Sequence, residues 1–222
     1  MRKQSPQTSI RYNRFSNGDW HEVNGGVISE SSLQLTVNGE AWLSFMCTPT
    51  QTEELATGFL YNEGIVSSLD EFEIIHTCET GDNIDVWLNR PVKKPAQWRR
   101  TSGCTGGMTA QPELQKLTQL VVDGQIPIDK VLNWMDHLLS KQELYREVRG
   151  VHCSILTDGD QILAQAEDIG RHNTLDKIAG IVLRNKIAPG FRMILTTGRI
   201  SSEMLQKAAH LGAVIVVSRT SP

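Results

Sequence analysis

The stretch of this chain best suited to chemistry is a basic, glycine-rich segment that holds one cysteine: Arg99-Arg100-Thr101-Ser102-Gly103-Cys104-Thr105-Gly106-Gly107. A thiol is a nucleophile only as its thiolate, which nearby cationic side chains stabilise. Between Arg90 and Glu113 there is no acidic residue, but there are four basic ones: Lys93, Lys94, Arg99 and Arg100. Glycine permits positive φ and close approach of the backbone to a ligand. We therefore predict that Cys104 is a reactive thiol; the alternative is an ordinary turn with a small hydrophobic side chain.

Three further polar segments each follow a predicted strand: 167–173, 196–202 and 218–221. Each places an arginine beside glycine or hydroxyl residues, and these arginines are Arg171, Arg199 and Arg219. Ligands of open α/β sheets bind beyond the carboxyl ends of the strands, where arginine and helix N-termini favour phosphate. We expect the segments to meet at one sheet edge and to bind an anionic, nucleotide-like ligand. For any single segment, a capped helix with its arginine in a surface salt bridge is the alternative.

Two side chains in these segments have local predictions of their own. Ser201 is a plausible N-cap of the helix that follows it. His172 is either an acid/base group or a histidine whose hydrogen bonds are satisfied within the protein, and the residues alone favour neither.

Hydrophobic periodicity predicts the elements that must position these residues. In the first half it predicts strands 27–30, 33–37, 41–46, 71–76 and 83–88, a hairpin turn at Asn38-Gly39, and helices 52–62, 114–122 and 128–139. In the second half it predicts strands 151–157, 161–166, 191–196 and 213–218, and helices 173–184 and 201–210. The last strand, helix and strand form a βαβ unit, which requires parallel strands.

This order of elements predicts an α+β protein with a C-terminal α/β domain and a smaller, mostly antiparallel β N-terminal part. We predict a flexible arm over 1–25, a mostly β subdomain over 26–100, and the cysteine loop with the α/β domain over 101–222. Within the arm, residues 1–17 are polar and aperiodic, so they form either a mobile segment or an edge strand whose order depends on a partner.

Composition narrows the class of protein. A net charge of -3 gives no reason to expect nucleic acid or a membrane as partner. Four cysteines without close spacing indicate a reducing, cytoplasmic compartment, and no apolar run resembles a signal peptide or a membrane span. The motifs of P-loop NTPases, zinc deaminases and G-x-S-x-G hydrolases are absent, and we predict no metal site.

Three long segments together resemble the FdhD family of formate dehydrogenase accessory sulfurtransferases. The first is Met46 to Pro49 with Glu53 to Val66, the second is Glu167 to Lys177, and the third is Thr196 to Met204 with Val217 to Pro222. The likeness extends over roughly residues 25 to 222, and motifs of this length rarely recur by chance.

The resemblance implies that a cysteine desulfurase hands sulfane sulfur to Cys104 as a persulfide. The sulfur then passes to the molybdenum or tungsten bis-pyranopterin guanine dinucleotide cofactor of formate dehydrogenase. The protein would thus be a sulfurtransferase that binds this cofactor as substrate and has none of its own. The resemblance also implies a cytidine deaminase-like larger domain, a homodimer, and a set of cofactor-binding residues: Gly106, Gly107, Arg171, His172, Arg199, Ser201, Ser202 and Arg219.

The chain departs from the family pattern in two places. Many members carry C-x-x-C in the reactive loop, whereas this chain has Gly107 at the second position, so Cys104 acts alone or with a distant thiol. The family pattern also continues beyond Pro222, so we expect the chain to lack a C-terminal extension. The alternative function is a non-enzymatic chaperone that inserts the cofactor into apo-formate dehydrogenase without carrying sulfur.

Overall fold

The computed structural model of the chain describes residues 5–96, 98–100, 108–109, 120 and 124–221. The strands are β1 (Gln7–Ser16), β2 (Asp19–Ile28), β3 (Ser31–Val37), β4 (Glu40–Cys47), β5 (Phe72–Thr77), β6 (Asn83–Leu88), β7 (Arg99–Arg100), β8 (Met108–Thr109), β9 (His152–Thr157), β10 (Ile162–Asp168), β11 (Met193–Thr196) and β12 (Ile215–Ser218). The helices are α1 (Thr52–Asn62), α2 (Ile128–Ser140), α3 (Glu143–Val148), α4 (Arg171–Arg184) and α5 (Ser202–His210), with a 3-10 turn at Leu69–Glu71.

The N-terminal half contains a four-stranded sheet of order β4-β3-β6-β5. Only β3 and β6 pair in parallel, so the predicted mostly antiparallel character is confirmed. Asn38 and Gly39 both adopt positive φ, of 48° and 81°, as a two-residue hairpin turn requires. Along β3, Leu33 and Leu35 are buried while Gln34 is exposed, which gives the sheet one apolar face. Helix α1 packs on that face.

Residues 7–28 form a two-stranded ribbon, so the strand alternative for the predicted N-terminal arm is the one the structure contains. Strands β1 and β2 pair antiparallel from Gln7 opposite Ile28 to Ser16 opposite Asp19, so the boundary predicted at residue 25 falls inside β2. Asn17 and Gly18 form the turn, with φ of 55° and 89°. A period of two appears in a sequence only where one face of a strand is buried, and most of this ribbon is exposed on both faces. Hydrophobic periodicity therefore gives no signal that β1 and β2 pair.

The C-terminal half contains the second four-stranded sheet, of order β10-β9-β11-β12. Strands β11 and β12 are parallel, which confirms the predicted βαβ unit around α5. Strand β9 is antiparallel to both of its neighbours, so β10, β11 and β12 all run in the same direction. The described fold is thus mixed α+β, and the cytidine deaminase-like assignment stays a prediction.

The two halves are joined where helices α1 and α4 cross. Gly58 of α1 lies against the backbone of α4, so that a Cβ built on Gly58 would overlap the carbonyl oxygen of Asp176 and lie 2.5 Å from Gly180 N. A Cβ on Gly180 would in turn overlap the carbonyl oxygen of Glu54. Glycine at both positions lets the helix backbones touch, which holds the N-terminal sheet against the C-terminal one.

One predicted helix lies outside the described residues, and one helix of the structure was not predicted. The helix predicted over 114–122 lies outside the described residues except at residue 120. Helix α3 is absent from the prediction. No described helix is both long enough and apolar enough to cross a membrane.

Candidate functional site

The three arginine-bearing segments meet at one edge of the C-terminal sheet. Strands β10, β11 and β12 end there at Asp168, Thr196 and Ser218, because they run in one direction. This is the edge at which open α/β sheets bind ligands. The placement that the sequence predicts for the three segments is therefore present in the structure.

The segments after β11 and β12 are bonded to each other. Ser218 Oγ donates to Gly198 O (2.8 Å), and the backbone N–H of Arg219 donates to Thr196 O (3.1 Å). The N–H of Ile200 donates to the carbonyl oxygen of Ser221, two residues after Arg219 (3.3 Å). These bonds fix the backbone that carries Arg199 relative to the backbone that carries Arg219.

The segment after β10 contacts the other two through Arg171, the first residue of α4. A Cβ built on Gly198 would lie 2.8 Å from Arg171 Cβ and 3.3 Å from its Cδ, so the Arg171 side chain crosses directly over this glycine. Arg171 Nε is buried and makes no hydrogen bond to any described residue. A buried donor without a partner is expensive, so a bound anion at this place would satisfy it.

The other two arginines are exposed to solvent. Neither Arg199 nor Arg219 forms an ion pair with a described residue. The alternative for these two segments, a capped helix with its arginine in a surface salt bridge, therefore lacks the salt bridge. The helix-capping part of that interpretation is confirmed, because Ser201 Oγ accepts the N–H of Met204 at 3.4 Å. Ser202, the first residue of α5, is exposed to solvent.

His172 holds the starts of α4 and α5 together. Its Nε2 lies 3.2 Å from Ser201 Oγ and 3.2 Å from Glu203 Oε2, and the residue is 3% exposed. Burial, with the cationic Lys207 and Arg171 nearby, lowers the pKa of His172 to about 3. A neutral imidazole beside an acceptor-only carboxylate carries its hydrogen on Nε2. Of the two roles left open above, the structure favours the internally bonded histidine.

Glu203 is a site residue that the sequence did not single out. It accepts from both His172 and Ser201, the latter at 3.3 Å. The available signal is its place in the first turn of a predicted helix, two residues after the N-cap, where carboxylates are common for reasons of helix dipole alone.

The cysteine loop leaves the N-terminal half through a short hairpin. Arg99 pairs with Thr109 and Arg100 with Met108, and the seven residues between these strands, which include Cys104, Gly106 and Gly107, lie outside the described residues. Just before β7, the Trp98 ring packs against Trp42 and Phe59, with ring centroids 6.2 and 5.9 Å apart. Lys207 Nζ of α5 lies 5.7 Å from the Phe59 centroid, so Phe59 contacts both Trp98 and α5.

The other three cysteines are poorly placed for nucleophilic chemistry. Burial raises the pKa of Cys47 to about 12 and also raises the pKa of Cys153. Cys78 is half-buried in the turn after β5, where its Sγ–H donates to Asp82 Oδ1 at 3.1 Å and its sulfur accepts the N–H of Asn83 at 3.2 Å. Burial therefore disfavours the thiolates of Cys47 and Cys153, while the Sγ–H of Cys78 is bonded to Asp82.

Part of the basic surroundings predicted for Cys104 is engaged elsewhere. Lys94 Nζ donates to Ala41 O at 2.6 Å and lies 4.0 Å from Glu40 Oε1. Lys93 is exposed.

The chain is similar to known proteins over most of its length. The model of the FdhD/NarQ family matches residues 28–222. Two curated relatives named "Sulfur carrier protein FdhD" come from Staphylococcus aureus strains MRSA252 and bovine RF122 / ET3-1. They are 30% and 29% identical to this chain, with 94% of this chain and 81% of each relative covered.

A solved structure is similar over nearly the whole chain. The crystal structure of a proposed formate dehydrogenase accessory protein from Desulfotalea psychrophila matches with a TM-score of 0.79 and 26% identity. The match covers 98% of this chain and 86% of that one. Since the family model spans both four-stranded sheets and all three arginine-bearing segments, the chain belongs to the FdhD/NarQ family.

Proposed function

We propose that this protein carries sulfane sulfur on Cys104 and delivers it to the molybdenum or tungsten bis-pyranopterin guanine dinucleotide cofactor that formate dehydrogenase requires. The observation that carries the proposal is the meeting of three arginine-bearing segments at one sheet edge, where none of the three arginines forms an ion pair with a described residue. Family membership and the names of the relatives support the sulfur chemistry.

The first step is thiol-persulfide exchange with a cysteine desulfurase. The Cys104 thiolate attacks the outer sulfur of the donor's persulfide, a new S–S bond forms on Cys104, and the donor's S–S bond breaks with its electron pair on the donor cysteine. The exchange is neutral in electrons, so it needs no oxidant or reductant. Arg99 and Arg100 precede the loop, and their charge favours the thiolate that starts the reaction.

The second step releases the outer sulfur to the metal of the bound cofactor. The S–S bond on Cys104 breaks with its electron pair on Cys104, and the metal supplies the two electrons that make the transferred atom a sulfido ligand. The cysteine returns as a thiolate, ready for another exchange. A second cysteine in the loop is not needed for this balance, so Gly107 is compatible with transfer.

The cofactor's guanosine diphosphate arms fit the sheet edge. Arg171, Arg199 and Arg219 provide guanidinium forks for the phosphates, with Ser201 and Ser202 at the start of α5. His172 supports the ligand indirectly, since it holds Ser201 in place. Gly106 and Gly107 let the cysteine loop approach the bound cofactor closely. Phe59 links the root of the loop to α5, since it packs against Trp98 and lies 5.7 Å from Lys207 Nζ.

The carrier step is tested by mass spectrometry. After incubation with a cysteine desulfurase and cysteine, the parent protein should gain one sulfur atom on the peptide that contains Cys104. Cys104→Ala should gain none, because Cys47 and Cys153 are buried and the Sγ–H of Cys78 is bonded to Asp82. The matched control is Cys78→Ala, which removes the least buried described cysteine and should load like the parent. Equal loading of Cys104→Ala and the parent would reject the assignment.

The nucleotide site is tested by calorimetry with GDP. The parent protein should bind GDP, and Arg199→Ala should weaken binding about tenfold or more, since a charge-assisted hydrogen bond contributes about 1.5–3 kcal/mol. The control is Arg11→Ala, an exposed arginine of the β1–β2 ribbon that pairs with Glu22. Unchanged affinity in Arg199→Ala would remove Arg199 from the site.

A further inference from the structure

The end of β4 and the start of α4 meet around a buried carboxylate, Asp168. The side chains of Asp168 and Lys177 are fully buried, and Lys177 Nζ lies 2.6 Å from Asp168 Oδ2. Asp168 Oδ2 also accepts the N–H of Thr48 at 3.1 Å. The other oxygen, Oδ1, accepts the N–H of Gly170 and Asn173 Nδ2, both at 2.8 Å. One carboxylate therefore binds the residue before α4, two side chains within α4 and the residue after β4.

A second set of bonds joins the same two segments. Asn173 Nδ2 donates to Met46 O at 2.8 Å, and the N–H of Ile169 donates to Thr48 Oγ1 at 3.2 Å. Lys177 Nζ donates to Thr48 O at 3.3 Å. The backbone over 168–173 is thus bonded to the segment 46–48 from two sides. The first and second family-like segments are therefore in direct contact.

This network is bonded to Gly170 and Asn173, at the start of α4, where the backbone amides that a phosphate would contact are located. The first intrahelical hydrogen bond of α4 runs from Thr174 N to Gly170 O, so the amides of residues 171–173 precede it at the helix N-terminus. The carboxylate of Asp168 lies three residues before Arg171, and without a counter-ion its charge would oppose a bound anion. The Lys177 ammonium neutralises that charge within the protein.

We propose that Asp168, Lys177 and Thr48 are positioning residues of the anion site. The Asp168–Lys177 pair sets the local charge and holds the first turn of α4, while Thr48 fixes that turn to the end of β4. All three are buried, so they act through Arg171 and the helix amides and not by touching the ligand. The inference rests on the proposed function, because it takes the sheet edge to bind a nucleoside diphosphate.

Charge rescue separates this role from a merely structural one. Lys177→Met should weaken GDP binding about tenfold or more, because removing one partner leaves an uncompensated buried charge. The double variant Asp168→Asn with Lys177→Met removes both charges and should recover affinity to within about threefold of the parent. A role in packing alone predicts the opposite order, since the double variant loses one more interaction. A double variant as weak as Lys177→Met would overturn the proposal.

The chain contains a matched control pair that joins α4 to α5. Lys207 Nζ lies 2.5 and 2.6 Å from the carboxylate oxygens of Asp176, and both residues are almost fully buried. Asp176 is more than one helical turn beyond Arg171, away from the N-terminal amides. Lys207→Met should therefore reduce stability like Lys177→Met but change GDP affinity by less than about threefold. A loss of affinity equal to that of Lys177→Met would overturn the proposal.

Amide hydrogen exchange measured without ligand gives a second readout. Exchange in a peptide spanning 168–175 should speed up in Lys177→Met and in the milder Thr48→Val, which removes only the acceptor of Ile169 N–H, but not in Lys207→Met. Should Lys177→Met fail to fold, Thr48→Val carries the test. Failure of the parent to bind GDP would reject the nucleotide site of the proposed function, whereas equal exchange in all variants would reject the positioning role.

Discussion

A strain that lacks this protein should recover formate dehydrogenase activity with the parent gene but essentially none with Cys104→Ala. The physical reason is that the carrier step needs a thiolate, and alanine at this position leaves no described thiol to replace it. Cys47 and Cys153 are buried with raised pKa values, and Cys78 donates its Sγ–H to Asp82. The measurement is formate dehydrogenase activity in extracts, normalised to the amount of accessory protein present.

The same measurement decides between the carrier and the chaperone. A chaperone that inserts the cofactor without carrying sulfur needs the arginine-bearing edge but not Cys104, and the lone loop cysteine with Gly107 in the C-x-x-C position is the feature that favours it. Full activity with Cys104→Ala would therefore establish the chaperone and reject the carrier. Cys78→Ala should behave like the parent, and Arg199→Ala should lower activity under either mechanism, because both require the bound cofactor.

The parts of the fold that were predictable from sequence are those where one face of an element is buried. Alternation along β3 follows from that rule, and the structure confirms it. In α2 the rule holds in part, since Val131 and Leu138 are buried but Leu132 is 58% exposed. The turn at Asn38-Gly39 is confirmed too, but it follows from the positive φ that these residues tolerate. Hydrophobic periodicity does not predict helix α3, because the helix has only six residues and its start is capped by a residue of β10. There, Glu167 accepts the N–H groups of Leu144 at 2.8 Å and Tyr145 at 3.3 Å. A cap from a residue more than twenty positions away leaves no local signal.

The candidate site likewise contains residues that the sequence predicts and residues that it does not. Arg171, Arg199 and Arg219 were predictable because strand direction alone brings the ends of β10, β11 and β12 together. Lys177 and Asp168 were not, since isolated charged residues are almost always exposed and nothing in a single sequence pairs two of them in the interior. Only the folded chain shows that each neutralises the other.

The crossing of α1 and α4 leads to a prediction on stability. Gly58→Ala should lower the free energy of unfolding by about 3 kcal/mol or more, the upper range for inserting atoms into a packed interior. At an open helical position the same change would stabilise by about 1 kcal/mol through helix propensity. Here the added Cβ would overlap the Asp176 carbonyl oxygen, which is helix backbone and cannot rotate away. The steric effect should therefore exceed the propensity effect, and the helices must move apart.

Thermal and denaturant unfolding measure this change, with Gly190→Ala as the control. Gly190 lies in an exposed loop, and a Cβ there would meet nothing within 4 Å. Gly58→Ala should lower the melting temperature by roughly 6–12 °C, at about 2–4 °C per kcal/mol for a chain of this size, while Gly190→Ala should stay near the parent. Since α4 carries Arg171 at its start, separation of the helices should also weaken GDP binding. A Gly58→Ala protein as stable as the parent would mean that α1 and α4 are not in backbone contact at this crossing.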